Sequence, residues 1–134
     1  LYFTDPGLLA YLLQYPDEKT MQKGPMAGAF YETFIITEVL KYQLSDTKPY
    51  QLYFFRDSHG NEIDLIIAWA DHTELLELKL SKTPRTGYAD PLERQMSHFQ
   101  NPTATVLAFT EETVKLSPHV HLRPWTSLYE KLET

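Results

Sequence analysis

Three strand-like runs follow one another between Gln51 and Leu80 with only hairpin-length gaps between them. Gln51 to Arg56 is rich in aromatic residues, Glu62 to Trp69 is branched and apolar, and Glu74 to Leu80 alternates. Side chains two apart on a strand share a face, so Leu76, Leu78 and Leu80 are expected on one side of the third run and Glu77 and Lys79 on the other. The joins, Asp57-Ser58-His59-Gly60-Asn61 and Ala70-Asp71-His72, are made of turn-forming residues and read as hairpin turns.

Helical patterns flank these runs. Asp5-Pro6-Gly7 ahead of Leu8, Leu9, Leu12 and Leu13 predicts a helix capped by Asp5 and ending near Pro16. Ala27 to Tyr42 carries Phe30, Phe34, Ile35 and Val39 at helical spacing and predicts the main helix, which Ser45 to Pro49 breaks. Beyond the strands, Thr83 to Asp90 reads as a loop and Pro91 to Phe99 as a short helix. Thr105 to Thr110 and His119 to Arg123 read as strands, and Trp125 to Leu132 as a closing helix. Helices interleaved with strands imply an α/β domain with a mixed sheet.

A chain of 134 residues suits a single domain spanning residues 1–134. With 43% hydrophobic and 13% aromatic residues it can bury a core without disulfide staples. The absence of Cys excludes disulfides and thiolate metal sites, and it fits a reducing cytoplasm. No apolar run approaches the roughly 20 residues that cross a bilayer, and no signal peptide is visible. The chain opens on Leu1, which reads as a fragment of a longer protein. A net charge of −6 counts against tight nonspecific nucleic-acid binding, although a local basic patch can act within an acidic chain.

Chemistry concentrates on the second and third strand-like runs. If the intervening turn centres on Ala70-Asp71, Asp64 falls opposite Glu77, and cross-strand neighbours have Cβ atoms about 4.5–5.5 Å apart. Two carboxylates that close repel, and a divalent cation with a preference for hard oxygen ligands, Mg²⁺ or Mn²⁺, is their natural neutraliser. Lys79, on the face of Glu77, is then placed to orient an attacking water or to stabilise developing negative charge. Glu32, on the main helix among largely apolar neighbours, needs a partner if ionised, and the metal or Lys79 is one choice.

Glu32, Asp64 and Glu77-Leu78-Lys79 resemble the PD-(D/E)xK nuclease superfamily: an acidic residue on a helix, an Asp on one strand, and Glu-x-Lys on the next. A narrower set looks like the DUF4143 domain: Tyr2-Phe3-Thr4-Asp5-Pro6-Gly7-Leu8, Phe30-Tyr31-Glu32, Phe55-Arg56-Asp57, Gly60-Asn61-Glu62-Ile63-Asp64 and Glu77-Leu78-Lys79. That resemblance runs to about Thr83. It implies a restriction-endonuclease-like fold, with a mixed sheet flanked by helices, at the C-terminal end of an AAA-type ATPase. It also implies phosphodiester hydrolysis in nucleic acid, with DNA as a candidate partner, Asp64 and Glu77 as metal ligands and Glu32, Asp64, Glu77 and Lys79 as the catalytic set. Gln95 followed by Phe99 is similar to the Gln-x-x-x-Tyr helix of RecB-like nucleases, with Phe in place of Tyr. Ile63 stands where the superfamily has Pro. No Gly-x-x-x-x-Gly-Lys-Ser/Thr loop occurs, so any ATPase lies outside these residues.

Plainer readings stand beside these. Glu77 and Lys79 on a solvated strand face would be a weak pair worth at most about 1 kcal/mol. Arg56 is a candidate structural partner for Glu32, and an ion pair with Arg56 is the favoured reading of Glu62; Glu62, Gln95 and Arg56 are otherwise candidates to support the site. His119 and His121 on one strand face suggest zinc, but no third ligand is evident, so they read as surface residues. The Tyr and Phe of Gln51 to Phe55 read as core rather than as a base-stacking platform. At the level of function, the alternative to a nuclease is a catalytically inactive nuclease-like module that binds DNA or protein within an ATPase.

Overall fold

The computed structural model describes residues 24, 26–45 and 49–133. The helix expected from Asp5 to Pro16, and the family-like stretch Tyr2 to Leu8, lie outside the described residues. Helix α1 spans Ala27–Ser45 and is followed by strands β1 (Gln51–Arg56), β2 (Glu62–Ala68) and β3 (Thr73–Lys79). A 3₁₀ turn at Thr86–Ala89 leads into the short helix α2, Asp90–Gln95, and a second such turn covers Met96–His98. Strands β4 (Pro102–Ala108), β5 (Val114–Lys115) and β6 (Val120–Pro124) precede a last 3₁₀ turn and helix α3, Leu128–Leu132.

The strands form one mixed sheet in the order β1-β2-β3-β4-β6-β5. The β1, β2 and β3 strands pair antiparallel through the two expected hairpins. In the first hairpin, Asp57 Oδ1 accepts the amides of His59 and Asn61, both at 2.9 Å, and Gly60 takes φ 83°, which costs a residue without Cβ little. From β3 the chain crosses over through α2 to return parallel as β4, and β6 lies parallel on the far side of β4. The α/β reading with a mixed sheet therefore holds.

Both faces of the sheet are covered. On one, Tyr31, Ile35, Ile36 and Val39 of α1 and Leu128 and Leu132 of α3 pack on Leu65, Ile67, Leu76, Leu78 and Leu107. On the other, Ala89 and Leu92 pack on Ile63, Ile66, Leu75, Val106 and Leu122. Sandwiching explains why β3 is buried along almost its whole length despite its alternating sequence. Its two buried acids are accommodated separately. Glu74 Oε1 meets Lys131 Nζ at 2.8 Å and the Thr105 hydroxyl at 3.0 Å, on the α3 side.

One expectation fails in β1. The aromatic run is not core: Tyr53 is 51% exposed and Phe54 70%, because β1 is the edge of the sheet and only Leu52 and Phe55 pack inward. Strand β2 also carries one residue more than its partner. Tyr53 pairs with Ile66 and Phe55 with Ile63, so Asp64 and Leu65 together stand against Phe54 alone. This β-bulge breaks strict alternation, and Ile63 and Leu65 fall into different halves of the core.

Candidate active site

The antiparallel register Leu65↔Leu76 carries Asp64 to a position opposite Glu77, as the turn length predicts. The paired ladder stops at Leu65 and Leu76. In its place, Asp64 Oδ2 accepts the amide of Leu78 at 2.8 Å, so the bulged strand holds β3 through a carboxylate. Glu77 and Lys79 share the face away from Leu76 and Leu78, and Lys79 Nζ lies 2.8 Å from Glu77 Oε1. The Lys79 side chain is 35% exposed, whereas Glu77 is buried. Lys79 Nζ also sits 5.4 Å from the centre of the Tyr88 ring, within cation–π range. Tyr88 had no signal in the sequence: it enters the site because the stretch read as a loop winds into a 3₁₀ turn against the sheet.

The electrostatics of these groups are mutually strained. Burial, then the charge of Asp64, pushes the Glu77 carboxyl up to about 7, against the opposing pull of Lys79. Burial raises Asp64 as well, although the Leu78 amide and Lys79 draw it back. Glu32 is raised by burial and by Asp64, with Lys79 again acting in the opposite sense. For Lys79, burial works against the charge, but the bond to Glu77 and the charges of Glu77 and Asp64 outweigh it, so its pKa rises. One cation thus serves three acids, and Glu77 Oε2, buried, has no hydrogen-bond donor among the described residues.

The remaining expected residues fall as follows. Glu32 is half-buried on α1 and lines a cavity with Asp64, but it makes no hydrogen bond or ion pair among the described residues. Arg56 is not its structural partner, since Arg56 pairs across the hairpin with Glu62 at 2.7 Å. Gln95 is buried on α2 and does not figure among the groups that perturb the carboxylates. His119 precedes β6, where its ring meets Glu93 at 3.1 Å. Among the described residues, no group of three or more His, Asp and Glu side chains is arranged to hold a metal. The two acids that the fold brings together are Asp64 and Glu77, and Glu77 Oε2 is buried there without a donor among the described residues.

The model of a family described as "Domain of unknown function (DUF4143)" matches residues 27–128. The chain belongs to the DUF4143 family. Among its relatives are an uncharacterized protein of Mycobacterium bovis and another of Mycobacterium tuberculosis, each 29% identical over 84 residues. Those 84 residues are 63% of this DUF4143 chain and 18% of each relative, so the chain spans a minor part of the mycobacterial proteins. No solved structure matches the chain. The matched region contains Glu32, the β2 bulge and Glu77-Leu78-Lys79, so the candidate site lies within the family's domain. Among the described residues no helix is long and apolar enough to cross a membrane.

Proposed function

We propose that this domain hydrolyses phosphodiester bonds in nucleic acid as a PD-(D/E)xK-type nuclease on a restriction-endonuclease-like sheet. The observation that carries the reading is the juxtaposition of Asp64, fixed by the Leu78 amide, with Glu77 and Lys79 on the next strand. Two acids are held together with the Lys79 ammonium, and among the described residues one buried carboxylate oxygen is left without a donor, an arrangement costly to folding and useful to a metal site. Mg²⁺ or Mn²⁺ held by Asp64 and Glu77 would polarise the phosphate and acidify a bound water.

The chain's own residues then have distinct work. Asp64 keeps one oxygen on Leu78 and turns its carboxylate to Glu77. Glu77 offers Oε2 as a ligand while Oε1 anchors Lys79. Lys79, its charge secured by Glu77 and Asp64, acts as an ammonium that stabilises charge building on the phosphate oxygens, and not as a proton acceptor. Glu32 supports the site from α1 through its charge. We place the domain in the cytoplasm, beside an AAA-type ATPase domain elsewhere in the polypeptide.

A cleavage assay tests this. The chain is incubated with single-stranded and duplex DNA and RNA in Mg²⁺, Mn²⁺ or EDTA, alongside Glu77→Ala and Lys79→Ala. Metal-dependent cutting that both substitutions abolish supports the reading. A second reading, a nuclease-like module that binds without cutting, is favoured by the net charge of −6 and by the lack of a three-ligand cluster among the described residues. Nucleic-acid binding with no cutting in any metal, by this chain and by the full-length protein, would establish it instead.

A further inference from the structure

Phe54 lies beside the candidate site for a reason set by the strand pairing. It is the single β1 residue opposite the two-residue bulge that carries Asp64. It is also 70% exposed, which a ring of that size tolerates only at an apolar cost. Phe54, Arg56 and Glu62 line the same cavity, of about 390 Å³, as Asp64 and Glu32. An exposed ring, a guanidinium and the carboxylates of Glu32, Glu62 and Asp64 therefore open into one space.

We propose that this cavity seats a single-stranded nucleic-acid segment, with one base stacked on Phe54 and the adjoining phosphate directed toward Asp64 and Glu77. The inference rests on the nuclease reading for the direction of the phosphate, and on the β1 edge for the stacking. A base in an intact duplex has both faces covered by its neighbours, whereas an unpaired base offers one to an aromatic ring. Phe54 is thus a selector for unpaired strands. Arg56 is positioned to take the next phosphate. Its present partner, Glu62, is an exposed surface acid, and such pairs exchange readily because they contribute little. The ring's continuity with the carboxylates separates this occupant from a second copy of the chain, which would need the backbone edge of β1 and not the cavity.

The test is a titration of a short DNA oligonucleotide carrying one 2-aminopurine, single-stranded or annealed to its complement, with the intact chain and with Phe54→Ala, Phe54→Trp and Phe109→Ala. The single strand is expected to lose fluorescence on binding and to bind at least about tenfold more tightly than the duplex. Phe54→Ala should weaken single-strand binding roughly 5- to 100-fold and abolish the quench, while Phe54→Trp restores both. Phe109, an exposed ring just beyond β4 and outside this cavity, should be dispensable. Unchanged binding by Phe54→Ala, equal losses in Phe54→Ala and Phe109→Ala, equal affinity for the duplex, or no binding overturns the proposal. So does a concentration-dependent dimer that Phe54→Ala dissolves. Stacking without cutting in any metal, by this chain and by the full-length protein, would refute the nuclease reading and leave this seat standing. Cutting that is indifferent to Phe54→Ala would do the reverse.

Discussion

The Asp64 carboxylate takes the Leu78 amide at 2.8 Å at the point where the paired ladder between β2 and β3 stops. A side chain thus replaces a backbone carbonyl, and the residue that does so also faces Glu77. Stability and site geometry are tied to one group.

Asp64→Ala should therefore destabilise the fold by about 1–3 kcal/mol, the cost of leaving a buried amide without its acceptor. Asp64→Asn keeps an acceptor oxygen and should cost less, while still removing the charge that a metal would use. Urea denaturation of both variants decides the point. Equal loss in the two would mean that the charge, and not the hydrogen bond, holds β2 to β3.

The raised Glu77 carboxyl makes stability depend on pH in a defined sense. Its folded pKa of about 7 lies above the ordinary value of 4.5, so the folded chain binds more protons between those limits than the unfolded chain. Stability contributed by the protonated form is present at low pH and is lost as pH rises from 4.5 through 7. Glu77→Gln, which remains neutral, should be the more stable protein at pH 8, by on the order of 1–2 kcal/mol, and close to the parent at pH 5. Thermal melts across that range check this. A Gln variant less stable at pH 8 would show that Glu77 is held as a favourable carboxylate.

Metal binding should expel that same proton. At pH 6 to 7, Mn²⁺ titrated into the chain is expected to release protons as Glu77 ionises, so the calorimetric heat should vary with the ionisation enthalpy of the buffer. Glu77→Ala should abolish binding. Heats independent of buffer, or binding that survives Glu77→Ala, would move the ion elsewhere.

Lys79 should separate binding from chemistry. Lys79→Met is expected to reduce cleavage about 100-fold or more while Mn²⁺ affinity stays near that of the parent. Its absence also removes the partner of Glu77 Oε1, so the Glu77 carboxyl should rise further. Cleavage in Lys79→Met at the parent rate would remove the ammonium from the mechanism.

Glu74 provides the contrast of a buried acid that is structural. Its partner Lys131 is largely buried with it, so Glu74→Ala breaks that ion pair and should cost about 1–3 kcal/mol without touching Asp64 or Glu77. A small loss on thermal denaturation would indicate that Lys131 escapes to solvent when α3 shifts.

Much of the fold was legible in the sequence. Period-two alternation, hairpin-length gaps and helical spacing are local properties, and they located α1, the three hairpin-linked strands, α2, β4 and β6 to within a few residues. Turn length also fixed the register, and hence the facing of Asp64 and Glu77, because antiparallel pairing counts outward from the turn. The two-residue strand β5 and the 3₁₀ turn that carries Tyr88 were not legible, since neither has a periodic pattern long enough to read.

What the sequence determined by itself is the set of strands and which residues share a face of β3, because backbone pleating dictates both. What only the tertiary structure decided is where each strand lies in the sheet and what covers it. An aromatic run reads alike in a central strand and at an edge, and the edge position of β1 is what leaves Phe54 exposed. The β2 bulge is likewise a product of pairing with β1, and Glu77's raised pKa a product of burial and of the neighbouring Asp64 charge. These depend on contacts between residues distant in the chain, which no local pattern encodes.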